Sequence, residues 1–186
     1  TFADDQVVED YPGLVSPTAR SAIDGGASWP AAAYDPGGSA HNPGTTAPGS
    51  SPTAAWTESA VEFAHRDTQP VVANGTVYAG RSLRALSVDD GTEQWVHGEP
   101  ARTTRPAVGD GIVAFGTPED FRGVDAASGD VLWTVPVSGN IWQGSGTVAE
   151  GTVYVTDDKL YAIDAASGDV LWSEDVGEPL LGAPAV

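Results

Sequence analysis

Two pairs of adjacent aspartates are the residues whose type and spacing best suit metal binding. They are Asp89-Asp90 and Asp157-Asp158, and carboxylate oxygens are the ligands that hard cations such as Ca²⁺ prefer. Both pairs also stand in short polar stretches of the kind that form exposed turns. Two interpretations therefore remain open for each pair, a cation site or a solvated turn, and the sequence favours the turn.

The three histidines form no metal-binding or general-base pattern. His41, His65 and His97 are isolated from one another, and none has the spacing of a zinc motif. His41 lies in a Pro/Gly-rich stretch and His97 at the end of a predicted strand, so we expect both to be solvated. No G-x-S-x-G elbow, P-loop or dinucleotide fingerprint occurs, and the chain has no cysteine. We therefore predict no catalytic residue, no metal and no cofactor.

The charge of the chain argues against one class of partner and indicates a saline environment. Among 186 residues, 26 acidic side chains outnumber 8 basic ones, and the formal net charge is −18. Nucleic-acid binding is not expected, because phosphate contacts require a basic surface. The acidic residues are dispersed and Lys159 is the single lysine, which is typical of proteins from salt-loving organisms. No apolar run reaches the roughly 20 residues that a transmembrane helix needs.

Three copies of one pattern predict the elements that position these residues. The tryptophans that end the copies are 38 and 39 residues apart, and a period near forty filled with short strands is typical of a radially repeating β architecture. The copies are Ala85-x-Ser87-x-x-Asp90-Gly91-x-x-x-Trp95, Gly123-x-Asp125-x-x-Ser128-Gly129-x-x-x-Trp133 and Ala162-x-Asp164-x-x-Ser167-Gly168-x-x-x-Trp172.

Each copy predicts a turn and a packing contact. The aspartate at the third position of the second and third copies can accept hydrogen bonds from main-chain N–H groups one or two residues ahead of it, and the glycine of each copy can adopt the positive φ that closes a hairpin. The large, flat tryptophan suits the wedge between neighbouring sheets. The residues assigned to this structural motif are Asp125, Gly129, Trp133, Asp164, Gly168 and Trp172.

The sequence between the copies predicts four strands per repeat. Asn74-Gly75, Asp110-Gly111 and Glu150-Gly151 each separate two β-branched runs, which is the signal of a two-residue hairpin. A third strand follows each hairpin, at 83–88, 121–125 and 159–164, and a fourth carries the tryptophan. The predicted fold is all-β, a β-propeller of four-stranded antiparallel blades at about 70–98, 105–136 and 143–175.

The two ends of the chain predict a tail and an incomplete ring. Residues 1–52 form an N-terminal tail and a Pro/Gly-rich strap, and residues 53–186 a partial propeller. Ala55-Trp56-Thr57 resembles a fourth strand, and residues 183–186 resemble the start of a fourth blade. Propellers need about four to eight blades. Three blades would leave open strand edges, through which we expect self-association or binding of a protein partner.

The repeats resemble the PQQ-type, or quinoprotein-like, β-propeller family, whose signature is A-x-D-x-x-T-G-x-x-x-W. The third copy differs from it by Ser167 for threonine, the second also by Gly123 and the first by Ser87. Trp29-Pro30, Asp35, Asn42-Pro43-Gly44 and Trp56 are similar to the strap of haloarchaeal members. The family includes dehydrogenases, assembly lipoproteins and sensor regions of kinases, so the resemblance implies a fold more than an activity.

The resemblance implies that most cations lie on one face. In such a ring, the connections between second and third strands emerge beside those between blades. Two interpretations are open, a face that binds anions or acidic partners and arginines that pair locally with carboxylates. The residues that the resemblance brings to this face are Arg81, Arg84, Arg102, Arg105, Arg122, Trp142 and Lys159.

The function predicted from these features is a non-catalytic, protein-binding scaffold outside the membrane of a salt-loving organism. One alternative is a fragment of a PQQ-dependent dehydrogenase, which would bring PQQ and calcium as cofactors. Many such enzymes carry a vicinal cysteine pair, which this chain cannot supply. Another alternative is the sensor region of a membrane-bound kinase or receptor.

Overall fold

The computed structural model describes residues 54–58, 69–98, 103–137, 146–175 and 183–186. The predicted tail and strap at 1–52, Arg102 and Trp142 lie outside these ranges. The described residues form twelve strands in three antiparallel sheets of four, each with its strands in chain order. The prediction of an all-β fold built from four-stranded blades is thereby confirmed.

The strands of the three blades follow one another with short connections. Blade 1 contains β1 (Val71–Ala73), β2 (Thr76–Ala79), β3 (Leu83–Ser87) and β4 (Glu93–His97). Blade 2 contains β5 (Ala107–Gly109), β6 (Ile112–Gly116), β7 (Asp120–Asp125) and β8 (Val131–Pro136). Blade 3 contains β9 (Thr147–Ala149), β10 (Thr152–Thr156), β11 (Lys159–Asp164) and β12 (Val170–Asp175). The inner strands β1, β5 and β9 lie side by side, so the blades are arranged about a common axis.

The first hairpin of each blade has the predicted two-residue turn. Both turn residues have positive φ in all three blades, for example 50° at Asn74 and 74° at Gly75. This backbone belongs to the turn type whose twist matches the flanking strands. Glu150 adopts the same φ of 50° as Asn74, although residues other than glycine rarely have a positive φ, because this type of two-residue turn requires it at both central positions.

The structure explains the aspartate and the small first residue of the repeated motif. Asp125 Oδ1 accepts hydrogen bonds from the N–H groups of Ala127 at 2.9 Å and Ser128 at 2.8 Å. Asp164 makes the equivalent pair of bonds, and these bonds lower the pKa of both carboxyls. The small residue that opens the motif pairs across the strands with the tryptophan, and the Trp133 indole occupies the space that a Cβ at Gly123 would need.

Each buried tryptophan joins its blade to the next one. Trp95 Nε1 donates a hydrogen bond to Ala126 O at 3.1 Å, and Trp133 Nε1 donates one to Ala165 O at 2.8 Å. Two apolar clusters surround them, one between blades 1 and 2 and one between blades 2 and 3. The predicted packing between blades is therefore confirmed for these two tryptophans.

Trp172 differs from the other two motif tryptophans. Its side chain is 43% exposed, compared with 9% for Trp95 and 6% for Trp133, although it lies at the same position of the repeat. The expectation that all three motif tryptophans pack between blades is thus wrong for Trp172 in this structure. Its indole lies 6.2 Å from the Tyr154 ring of the same blade, a contact that Trp95 also makes, with the Tyr78 ring at 5.8 Å. Packing on both sides of an indole needs a following blade, and β12 belongs to the last blade among the described residues.

The segments at the two ends contact the blades without forming strands. Residues 54–58 are not a strand, which corrects the prediction for Ala55-Trp56-Thr57. Trp56 nevertheless donates a hydrogen bond from Nε1 to Val88 O at 2.8 Å, as Trp95 and Trp133 do toward the blade that follows each of them. Residues 183–186 also form no strand, and Pro184 O accepts a bond from Thr147 Oγ1 at 2.5 Å.

Replacing Gly168 with alanine is expected to lower the free energy of unfolding by about 2–5 kcal/mol. Gly168 has a φ of +77°, and an added Cβ would overlap the Trp133 side chain. Left-handed backbone costs roughly 1–2 kcal/mol in a residue with a Cβ, and overpacking costs about 1–3 kcal/mol more. Urea unfolding of the two proteins in the same KCl buffer measures the difference.

Gly151→Ala is the matched control for this substitution. Gly151 has a φ of +74°, but no atom lies within 4 Å of the position that its Cβ would take. The decrease in the free energy of unfolding of G151A should therefore come from the backbone contribution alone, about 1–2 kcal/mol. Equal losses in the two variants would contradict the packing of Gly168 against Trp133.

Candidate functional site

The connections between the second and third strands of the blades lie together with the connections between blades. We call this surface the loop face and define it by residues 80–82, 117–119 and 157–158. Thr103 Oγ1 donates to Gly80 O at 3.2 Å, and Val137 N donates to Glu119 O at 3.3 Å. The segments that leave β8 and enter β5 are thereby held against the tips of blades 2 and 1.

Arg81 is at the tip of blade 1 on the loop face. It follows Gly80, whose φ of +99° turns the chain sharply after β2. The residue is half-buried, and its Nε atom is buried without a hydrogen-bond partner. The corresponding tips of blades 2 and 3 carry Glu119 and the pair Asp157-Asp158 instead. Arg81 therefore places a positive charge where the other two blades place negative ones.

Arg84 and Arg122 pair with carboxylates of their own blades. Arg84, the second residue of β3, forms an ion pair with Glu93 on β4. Arg122, the third residue of β7, binds both carboxylate oxygens of Asp120, from Nε at 2.8 Å and from Nη2 at 3.0 Å. Local pairing, the second interpretation of the basic residues, thus describes these two arginines.

The other two described residues of the predicted face lie on blades 2 and 3. Arg105 lies half-buried just before β5, and Lys159 is the half-buried first residue of β11. Arg102 and Trp142 fall outside the described residues. The described part of the chain therefore holds five of the seven residues of the predicted face, on all three blades, and the binding role given to the face remains a prediction.

His97 was expected to be solvated, and the structure contradicts this. Its ring is half-buried at the end of β4, where Nδ1 lies 3.3 Å from Gly129 O and Nε2 lies 3.4 Å from Arg122 Nη1. The Phe115 ring meets it edge to face, with 5.5 Å between centroids. His97 therefore links blade 1 to blade 2. Its position two residues after Trp95, on the same side of a strand, was the available sequence signal.

The aspartate pairs have different environments. Asp89 and Asp90 are exposed, as the turn interpretation predicts. Asp157 is only 3% exposed, so the prediction of a solvated turn is wrong for this residue. Its Oδ1 accepts a hydrogen bond from Lys159 N at 2.6 Å, and Tyr161 donates to Oδ2 at 3.5 Å. Among the described residues, no three His, Asp or Glu side chains are grouped as metal ligands.

Replacing Asp157 with asparagine is expected to stabilise the folded chain at pH 7. Burial, followed by the charge of Asp158, raises the pKa of Asp157, although the Lys159 N–H partly offsets this. The folded chain therefore binds a proton at Asp157 more readily than the unfolded chain, in which the pKa of aspartate is about 3.9. At pH values above about 3.9, the charged Asp157 consequently destabilises the folded chain. The gain from D157N should disappear as the pH falls to about 4, and urea unfolding at pH 7, 5 and 4 measures it.

Asp158→Asn controls for the loss of one negative charge. Asp158 is exposed, so its substitution changes the net charge equally but removes only the smaller of the two causes that raise the pKa of Asp157, and its gain in stability should be smaller than that of D157N. A D157N variant that is less stable than the parent at every pH would contradict the prediction. The hydrogen bond from Lys159 N would then outweigh the burial of the charge.

The described residues include no helix long and apolar enough to cross a membrane. A family model described as outer membrane protein assembly factor BamB matches the chain at residues 49–140 and 119–186. No curated protein sequence shows significant similarity to the chain.

Solved structures with the same blade arrangement include natural and designed proteins. BamB from Moraxella catarrhalis has a TM-score of 0.56 and 19% identity, over 66% of this chain and 40% of that one. The computationally designed Ika8 protein has a TM-score of 0.52 and 15% identity, over 61% and 38% of the two chains. The quinohemoprotein alcohol dehydrogenase ADHIIG from Pseudomonas putida HK5 has a TM-score of 0.50 and 22% identity, over 64% of this chain and 22% of that one. Such identities establish the fold alone, and the chain spans at most 40% of the length of these three proteins.

Proposed function

Since the chain belongs to the family described as outer membrane protein assembly factor BamB, we propose that it is a non-catalytic β-propeller that binds protein partners through its loop face. The observation that carries the proposal is the loop face itself. One positively charged blade tip and two negatively charged ones lie there beside the connections between blades. Loops held on a rigid sheet scaffold are a common location for binding residues.

The proposal includes a location and a set of partners. The description of the family names an outer-membrane assembly factor, which supports an extracytoplasmic location for this chain. The partners are proteins, with no nucleic acid, and the protein acts without PQQ, calcium or another cofactor. The high proportion of acidic residues supports an origin in a salt-loving organism.

Cross-linking from matched positions tests the proposal. Glu119 lies on the loop face and Glu150 on the first hairpin of blade 3, and both are exposed. Cysteine at each position, in a chain with no other cysteine, accepts the same photo-reactive label. We expect the label at 119 to capture a defined protein in extracts of the source cells, and the label at 150 to capture none.

Two outcomes would overturn the proposed function. The first is equal capture from both positions, since binding would then not depend on the loop face. The second is oxidation of alcohols or sugars by the complete protein in the presence of PQQ and calcium. That activity would support the alternative of a dehydrogenase fragment.

A further inference from the structure

The buried Nε of Arg81 is a hydrogen-bond donor without an acceptor. No partner reaches this atom in the structure, although a buried N–H that remains unpaired is costly. The only such side-chain atom among the described residues belongs to a guanidinium, a group whose charge strengthens any bond that it makes. The donor becomes available to an acceptor from outside the chain when the half-buried side chain turns toward solvent.

Two other arginines of blades 1 and 2 show that arginine side chains of this chain readily pair with carboxylates. Arg84 and Arg122 are paired with Glu93 and Asp120, and acidic residues outnumber basic ones by 26 to 8. Nε of Arg122 has a carboxylate oxygen at 2.8 Å, whereas Nε of Arg81 has none. The unpaired state of Arg81 is thus not a consequence of a shortage of acidic groups.

The place of Arg81 in the fold holds it at the surface that the proposed function uses. Gly80 turns the chain with a φ of +99°, and the Thr103 hydroxyl holds the Gly80 carbonyl from the connection between blades. Arg81 is half-buried, so part of its side chain remains in contact with solvent. A ligand at the loop face can approach the guanidinium without displacing a paired carboxylate.

We propose that Arg81 binds a carboxylate of an acidic segment in the partner protein. A carboxylate matches the planar arginine fork with two parallel hydrogen bonds and supplies the acceptor that Nε lacks. The acidic tips of blades 2 and 3, at Glu119 and Asp158, repel an acidic segment, and concentrated KCl screens this repulsion because the Debye length falls to about 3 Å at 1 M salt. The inference rests on the proposed function, because it specifies how the loop face recognises a protein.

Binding of a fluorescein-labelled hexaglutamate peptide, measured by fluorescence anisotropy in KCl buffer, tests the inference. R81Q and R84Q each remove one positive charge from blade 1, so long-range electrostatics affect both variants alike. We expect R81Q to raise the Kd about tenfold or more, as the loss of a charged hydrogen-bonded pair does, and R84Q to raise it less than twofold. R81K retains the charge without the fork and should give an intermediate Kd.

Thermal unfolding of the three variants checks that each is folded before its Kd is interpreted. Equal Kd values for R81Q and R84Q would overturn the inference, because the peptide would then respond to charge alone. It would also be overturned if inorganic phosphate displaced the peptide from the parent chain at lower concentration than acetate does.

The cross-linking experiment separates this inference from the proposed function. Capture of a protein from position 119 that persists in R81Q, together with equal Kd values, would reject the role of Arg81 and retain the scaffold. Loss of peptide binding in R81Q without any protein captured from position 119 would retain the carboxylate site and reject the scaffold.

Discussion

Trp133→Ala is expected to lower the free energy of unfolding by about 3–5 kcal/mol, the usual cost of removing a large buried aromatic side chain. The Trp133 indole is 6% exposed and lies between blades 2 and 3. Its removal leaves a cavity in that cluster and leaves the Ala165 carbonyl without its donor at 2.8 Å. Urea unfolding at constant KCl, followed by far-UV circular dichroism, measures the loss.

Trp172→Ala is the matched control, since it changes the same residue at the same position of the repeat. Its indole is 43% exposed, so the substitution should cost about 1 kcal/mol or less. Trp133→Phe keeps most of the apolar surface and removes the N–H donor, and its loss should lie between those of the two alanine variants. Equal losses for W133A and W172A would show that burial between blades does not determine the contribution of this residue.

Transfer from about 3 M to about 0.1 M KCl is expected to lower the melting temperature by roughly 10 °C or more, a shift that corresponds to a few kcal/mol for a chain of this size. The net charge of −18 makes the compact chain repel itself. The Debye length rises from about 3 Å at 1 M salt to about 10 Å at 0.1 M, so neighbouring carboxylates then interact with little screening. Differential scanning calorimetry over a KCl series measures the shift.

A charge variant separates screening from a general salt effect on apolar packing. The fourfold variant removes four exposed negative charges, by E119Q, E150Q, D158N and E174Q. It should show a clearly smaller dependence on KCl than the parent chain, because less repulsion remains to be screened. An unchanged dependence would assign the effect to stronger burial of apolar surface at high salt and would contradict the electrostatic explanation.

The arginines predicted to lie on one face show how far the sequence can predict candidate site residues. Arg81, Arg84 and Arg122 are equivalent by residue type and by their positions near strand ends. The partner of Arg84 lies nine residues away and that of Arg122 two residues away, but both pairs depend on strand register and on side-chain direction. An arginine without a partner for its Nε cannot be recognised from composition, because the whole surrounding surface has to be known.

The sequence by itself determined the blade. Alternating strands, two-residue hairpins and the Asp-x-x-Ser-Gly turn are local features, and their hydrogen bonds join residues close in the chain, as Asp164 and Ser167 are. The tertiary structure alone decided the particular contacts between blades and which of the repeated residues are buried. The Trp133 donor and the Ala165 acceptor are 32 residues apart, and the burial of Asp157, the contacts of His97 and the exposure of Trp172 depend on which blade packs against which. Burial results from packing between distant segments, so no local pattern encodes it.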